Sequence, residues 1–253
     1  MTILRVVLLS VVVAVTSWGA TADVNALVLQ SISRMPKGGS YSTQTVAHQR
    51  LSAAIRNAES ALEVRHTAAA PSFCSGGTYL VFLDVIAELH RAGDIALSPV
   101  VREALLVGMS QPDGHGVWGR WNANGPGTAR LFAETGLGVN FTDWSQARAG
   151  DFMKIWWTNE IGARERGHSV VYLGTEQVNG IEHVRFWSSN KPAGYGEKTV
   201  PLTDVKWAVF SRLERPARIS RVTALPSVEN FLASMLRVPA TREQVVSLCR
   251  VQE

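Results

Sequence analysis

Asn179-Gly180 limits the folds open to this chain more than any other pair of residues. Asn-Gly favours the positive-φ turn that joins two antiparallel strands through a two-residue loop. On one side stands Gly167-His-Ser-Val-Val-Tyr-Leu-Gly174, and on the other Ile181-Glu-His-Val-Arg-Phe-Trp-Ser-Ser-Asn190, both strand-like in composition. A two-residue loop pairs Val178 with Ile181, and counting back along both strands places His168 opposite Lys191. Asn190 is then one step from His168, within reach after the usual twist or a bulge.

Around this hairpin the chain divides into helices first and strands afterwards. Val24, Leu27, Val28 and Ile32 recur at helical spacing until Met35-Pro-Lys-Gly-Gly39 stops them. A second helix is expected over Thr43–Val64, with Leu51, Ala54, Ile55, Ala58 and Leu62 on one side, followed by a small-residue linker that ends at Pro71. From Cys74 the residues Tyr79, Phe82, Leu83, Ile86 and Leu89 make a third helix, and Pro99–Met109 a fourth. Strands are expected around Phe152–Trp157, in the hairpin, at Thr199–Leu202 and at Trp207–Leu213, before a helical tail carrying Phe231, Leu232, Met235 and Leu236. This order predicts an α+β fold with N-terminal helices packed on a mostly antiparallel sheet.

The segment Gln111–Arg130 is rich in glycine and predicts an ordered surface loop rather than a regular element. Trp118 and Trp121, with Asn122 beside them, then have two readings: a substrate-binding wall, or large side chains that plug the core. Tyr41 likewise reads either as a packing tyrosine or as a phenol brought near the site.

Arg5, the apolar run Val6–Val15 and the small-x-small pattern Ala20-Thr21-Ala22 make residues 1–22 an export signal. The expected organisation is then 1–22 signal peptide, 23–70 N-terminal helical extension, 71–213 catalytic domain, and 214–253 helical tail packed on that domain. The apolar run is short for a membrane span, so the expectation is an exported monomer, periplasmic or extracellular, without stable membrane insertion. The chain of 253 residues has 25 Lys and Arg against 21 Asp and Glu. No dense basic run accompanies that mild excess, which argues against nucleic acid as a partner. The 6 histidines are scattered without metal-ligand spacing, and no cofactor is expected.

Only 2 cysteines occur, Cys74 and Cys249. An exported chain can join them in a disulfide, and a structural role for Cys74 is one reading. The other is a nucleophile: a thiol in the first turn of a helix sits among unpaired N–H groups that favour the thiolate. Cys74 at a helix start, His168 on a later strand and Asn190 at the end of the next give the order of a thiol–imidazole–orienter triad.

Ser72-Phe-Cys-Ser75, Gly150-Asp-Phe-Met153, Gly167–Gly174 and Trp187-Ser-Ser-Asn190 together resemble the papain-like cysteine peptidases, within them the NlpC-like and CHAP-like cell-wall hydrolases. The resemblance spans about residues 70–213. It implies a papain-like fold and hydrolysis of an amide bond in peptidoglycan stem peptides, with Cys74, His168 and Asn190 catalytic. Tyr41, Trp118, Trp121 and Asn122, which lie outside the family pattern, are the expected substrate contacts on the reading of their own segments. A wall-binding module that kept the fold, and a thiol peptidase or acyltransferase acting on protein or lipid, stand as alternatives.

Overall fold

The computed structural model describes residues 23–253; the expected export signal lies outside the described residues. In chain order the elements are α1 (Val24–Arg34), β1 (Gly38–Gly39), α2 (Thr45–Ala54), β2 (Ile55–Asn57), β3 (Leu62–Val64), α3 (Cys74–Ala92), α4 (Pro99–Ala104), α5 (Gly116–Asn122) and α6 (Gly127–Thr135). The strands β4 (Gly138–Phe141), β5 (Phe152–Trp156), β6 (Gly167–Val178), β7 (Ile181–Asn190), β8 (Gly194–Pro201) and β9 (Trp207–Leu213) follow. The chain ends with α7 (Asn230–Ser234), α8 (Arg242–Leu248) and β10 (Val251–Gln252). The fold is α+β, built on an 8-stranded sheet of order β1-β8-β7-β6-β5-β9-β4-β10. Every described pairing is antiparallel except β10 with β4.

Strand side chains alternate between faces, and here both faces are covered. Phe152, Val171 and Trp187 join the helices in the main core, whereas Met153, Val170, Tyr172 and Phe186 form a second cluster on the opposite side with Trp144, Val200 and Leu202. The helix α3 runs through the main core against α1, α2, α5, β6 and β7. Tyr79–Leu83 are fully buried, and each large apolar side chain so enclosed contributes about 1.5–3 kcal/mol. This long rigid element carries Cys74 at its start.

The hairpin forms at Asn179-Gly180, both with positive φ, and Val178 faces Ile181. The expected register holds as far as Gly174 opposite Arg185; a bulge then shifts it, and Tyr172 faces Phe186. Continuing the shifted register brings Asn190 rather than Lys191 across from His168. The bulge therefore supplies the single step that the two-residue loop left over.

Four local expectations are corrected. Thr43–Val64 is not one helix: α2 stops at Ala54, and the hairpin β2–β3 follows, with β-branched Ile55 and Val64 paired across it. The fourth helix is shorter than Pro99–Met109 and ends after Ala104. Gln111–Arg130 is not an irregular loop, because it contains α5 and the start of α6. Gly119 explains why glycine did not prevent a helix: a Cβ there would lie 2.2 Å from the Pro112 carbonyl oxygen, so the glycine permits close backbone packing. The C-terminal tail is only partly helical. Its last residues make β10 beside β4, and residues 23–70 likewise supply β1 to the far edge of the sheet.

Candidate active site

Cys74 opens α3 after Phe73, an extended residue that leaves the first turn without a side-chain cap. The free N–H groups and helix dipole of that turn favour negative charge on the sulfur. The approach to the helix is pinned by backbone bonds between neighbouring strands of chain: Ser42 N–H donates to the Ser72 carbonyl at 2.8 Å, and Ser72 N–H to the Ser40 carbonyl at 3.1 Å. Tyr41 N–H donates to the Pro192 carbonyl at 2.9 Å, and the buried Ser72 hydroxyl donates to Ser189 Oγ at 2.8 Å. Tyr41, Cys74 and the end of β7 are thus tied to one another by main chain as well as by side chains.

His168 Nε2 lies 3.0 Å from Asn190 Oδ1. The Asn190 amide cannot turn freely, because its Nδ2 donates to the Gly196 carbonyl at 2.8 Å and to the Ser188 carbonyl at 3.2 Å. With Oδ1 so directed, the imidazole carries its hydrogen on Nε2 and leaves Nδ1 for the thiol. His168 and Asn190 are therefore brought together as expected, and the His168 ring also reaches the Cys74 sulfur.

Burial of the sulfur alone would push its pKa up. The hydrogen bond and charge of His168, the N–H of Ser169 and the ammonium of Lys154 outweigh it and hold Cys74 at about 6, against an ordinary 9.0. These groups favour the thiolate over the thiol. Tyr41 shows the converse effect: burial, the adjacent negative charge and a hydrogen bond to Cys74 push its pKa upward, so the phenol stays protonated and donates to the sulfur. Of its two sequence readings, the phenol near the thiol is the one observed. Cys249 is a free thiol, fully buried between Trp156 and Val245, and burial pushes it up to about 12.

A polar cleft runs past the thiol. One lobe, of about 320 Å³, is lined by Cys74, Asn122 and Lys154; the other, of about 530 Å³, by His168, Asn190 and Lys191. Tyr41, Glu165 and Gly167 line both, so the two lobes adjoin, with Cys74 in one and His168 in the other. Asn122 is in the cleft as expected and accepts a hydrogen bond from Ser75 Oγ at 2.6 Å. Trp118 and Trp121 are not: each is 1 % exposed, Trp118 against Phe73 and Tyr79, and Trp121 against Tyr79, Phe82 and Phe152. The core reading of these tryptophans replaces the binding-wall reading, since α5 is enclosed on all sides, with Val117 to Trp121 buried.

The sequence reading missed His48, Asp113, Lys154 and Glu165, all of which line the thiol's lobe. Lys154 had a readable signal. It sits on the same side of β5 as Phe152 and Trp156, the side that enters the core, where a lysine calls for a partner. That partner is Glu165, 2.7 Å away and also bonded to Trp156 Nε1 at 2.7 Å. His90, His115 and His183 bond to backbone carbonyls away from the thiol. No protein-family model, curated protein or solved structure matches this chain.

Proposed function

We propose that this chain is an exported papain-like cysteine hydrolase of the NlpC-like and CHAP-like kind, which cuts an amide bond in peptidoglycan stem peptides. The observation that carries the proposal is a thiol held near pKa 6 at a helix start by an imidazole whose other nitrogen meets a fixed asparagine amide. In this scheme the Cys74 thiolate attacks the scissile carbonyl carbon. The backbone N–H of Cys74 and the Tyr41 hydroxyl serve in it as donors to the oxyanion. Protonated His168 gives its proton to the leaving amine as the C–N bond breaks, leaving a thioester on the sulfur. Neutral His168 then takes a proton from water as the resulting hydroxide displaces the thiolate, and the acid product departs.

Peptidoglycan is favoured by the motifs shared with the cell-wall hydrolases, the signal-like start and the mildly basic charge, which aids encounter with an anionic polymer. The open cleft, lined by Lys154, Glu165, Lys191 and Lys198 among others, suits a peptide better than an acyl chain. Among the described residues no helix is long and apolar enough to cross a membrane. An inactive wall-binding module would have drawn support from a Cys74–Cys249 disulfide, and both thiols are free.

The test is digestion of purified sacculi by the mature protein, with mass spectrometry of the products. New amine and carboxyl ends from the wild type, absent with Cys74→Ala, are expected. Equal release by the two proteins, or none from the wild type, would reject the proposal.

A further inference from the structure

The charges along the cleft are sorted by sign on the two sides of the Cys74–His168 pair. In the thiol's lobe, Lys154 is bound to Glu165 at 2.7 Å, and those two charges offset each other. Asp113 remains. Its Oδ2 accepts the Asn124 N–H at 2.9 Å, and among the described residues it has no ion-pair partner. Burial raises the pKa of Asp113, and the Asn124 N–H and the nearby charge of Lys154, itself countered by Glu165, offset only part of that cost. The lobe therefore carries one uncompensated negative charge beside the nucleophile.

The imidazole's lobe has the opposite balance. Arg166, Lys191 and Lys198 line it against Asp204, apart from the Glu165 already neutralised by Lys154. Among the described residues none of these three cations makes a salt bridge. Lys191 Nζ lies 5.3 Å from the centre of the ring of Tyr41, one of the residues common to both lobes.

On the hydrolase reading, we infer that the substrate is dipolar: an ammonium group on the Cys74 side of the scissile amide is held by Asp113, and a carboxylate on the His168 side by Lys191 and Lys198. Water-screened charges at the rim contribute modestly, but Asp113 is recessed, and a charge-assisted hydrogen bond there discriminates more strongly. A peptide presented the other way round would meet like charge at both ends. The arrangement thus selects both substrate class and direction of binding.

The probe is a synthetic peptidoglycan stem pentapeptide with free amines and carboxylates, compared with its fully acetylated and fully amidated forms. Acetylation is expected to lower kcat/KM by about tenfold or more in the wild type. It should matter little in Asp113→Asn. Amidation should likewise be costly in the wild type and cheap in the Lys191→Met/Lys198→Met double variant. Equal kcat/KM for the three peptides would overturn the inference while leaving the hydrolase intact.

A second arm is independent of hydrolysis. Cys74 is modified with cationic aminoethyl, neutral methyl and anionic sulfonatoethyl methanethiosulfonates, Cys249 being buried. Asp113→Asn should slow only the cationic reagent, and the double lysine variant only the anionic one. If neither variant changes the charge preference, the inference fails, even if the wild type cuts no peptide and the hydrolase proposal falls with the first arm.

Discussion

Replacing Trp121 by alanine separates a core tryptophan from a groove tryptophan. Its indole is 1 % exposed, stacks on Phe82 at 4.8 Å, meets Phe152 edge-on at 5.3 Å and donates from Nε1 to Thr78 Oγ1 at 3.2 Å. Truncation leaves a large cavity against α3 and β5, at a cost of about 3–5 kcal/mol. For a chain of this size each kcal/mol lowers the melting midpoint by about 2–4 °C, so a fall of roughly 6–20 °C is expected. Circular-dichroism melts give the midpoint, and kcat and KM for stem-peptide cleavage are measured well below both midpoints. KM should stay close to the wild type while the melt collapses. An unchanged melt with a several-fold higher KM would refute the core placement and restore the indole to the groove.

Three further outcomes follow from the site and its supports. His168→Ala should lower kcat/KM by about 10²–10⁴-fold, the usual worth of a general acid–base, and Asn190→Ala by less, because the asparagine only holds a tautomer; steady-state kinetics on one peptide ranks them. Tyr41→Phe removes a donor to the sulfur and should raise the thiol's pKa and lower kcat with little change in KM, read from pH-dependent alkylation and kinetics. Asp84 has its own pH dependence: burial would raise its pKa, but the His66 ring nitrogen 3.1 Å away and hydrogen bonds from Arg34 hold it at about 2, below the ordinary 3.8. A depressed carboxyl stabilises the fold above its unfolded pKa and loses that stabilisation as pH falls toward 2. Denaturant melts should therefore show Asp84→Asn less stable by about 2 kcal/mol at neutral pH, a gap that narrows as pH falls below about 4.

The site was legible in the sequence where local rules act over short distances. Asn179-Gly180 fixed the turn, the turn fixed the register, and the register carried His168 to within one residue of Asn190. The last step came from a bulge between Tyr172 and Gly174, at Leu173. The apolar spacing after Cys74 marked α3, because one stripe of Tyr79, Phe82 and Ile86 repeats at helical period. What could not be read depends on contacts between distant segments. Gly119 looks like a loop residue until Pro112 is seen against it, and the indoles of Trp118 and Trp121 face inward only because α3 and β5 close over them. Val251 joins the sheet beside Asn140, more than a hundred residues earlier, which no local pattern announces. Asp113 and Lys154 are likewise separated along the chain and meet only in the cleft.

The rate of Cys74 alkylation by iodoacetamide as a function of pH tests the central claim most directly, since Cys249 is buried and the rate follows the thiolate. With His168 and Ser169 donating to the sulfur, the wild-type profile should turn at about pH 6, and in His168→Ala it should move toward the ordinary 9.0. A wild-type profile that turns near pH 9 and is unaffected by His168→Ala would contradict the account.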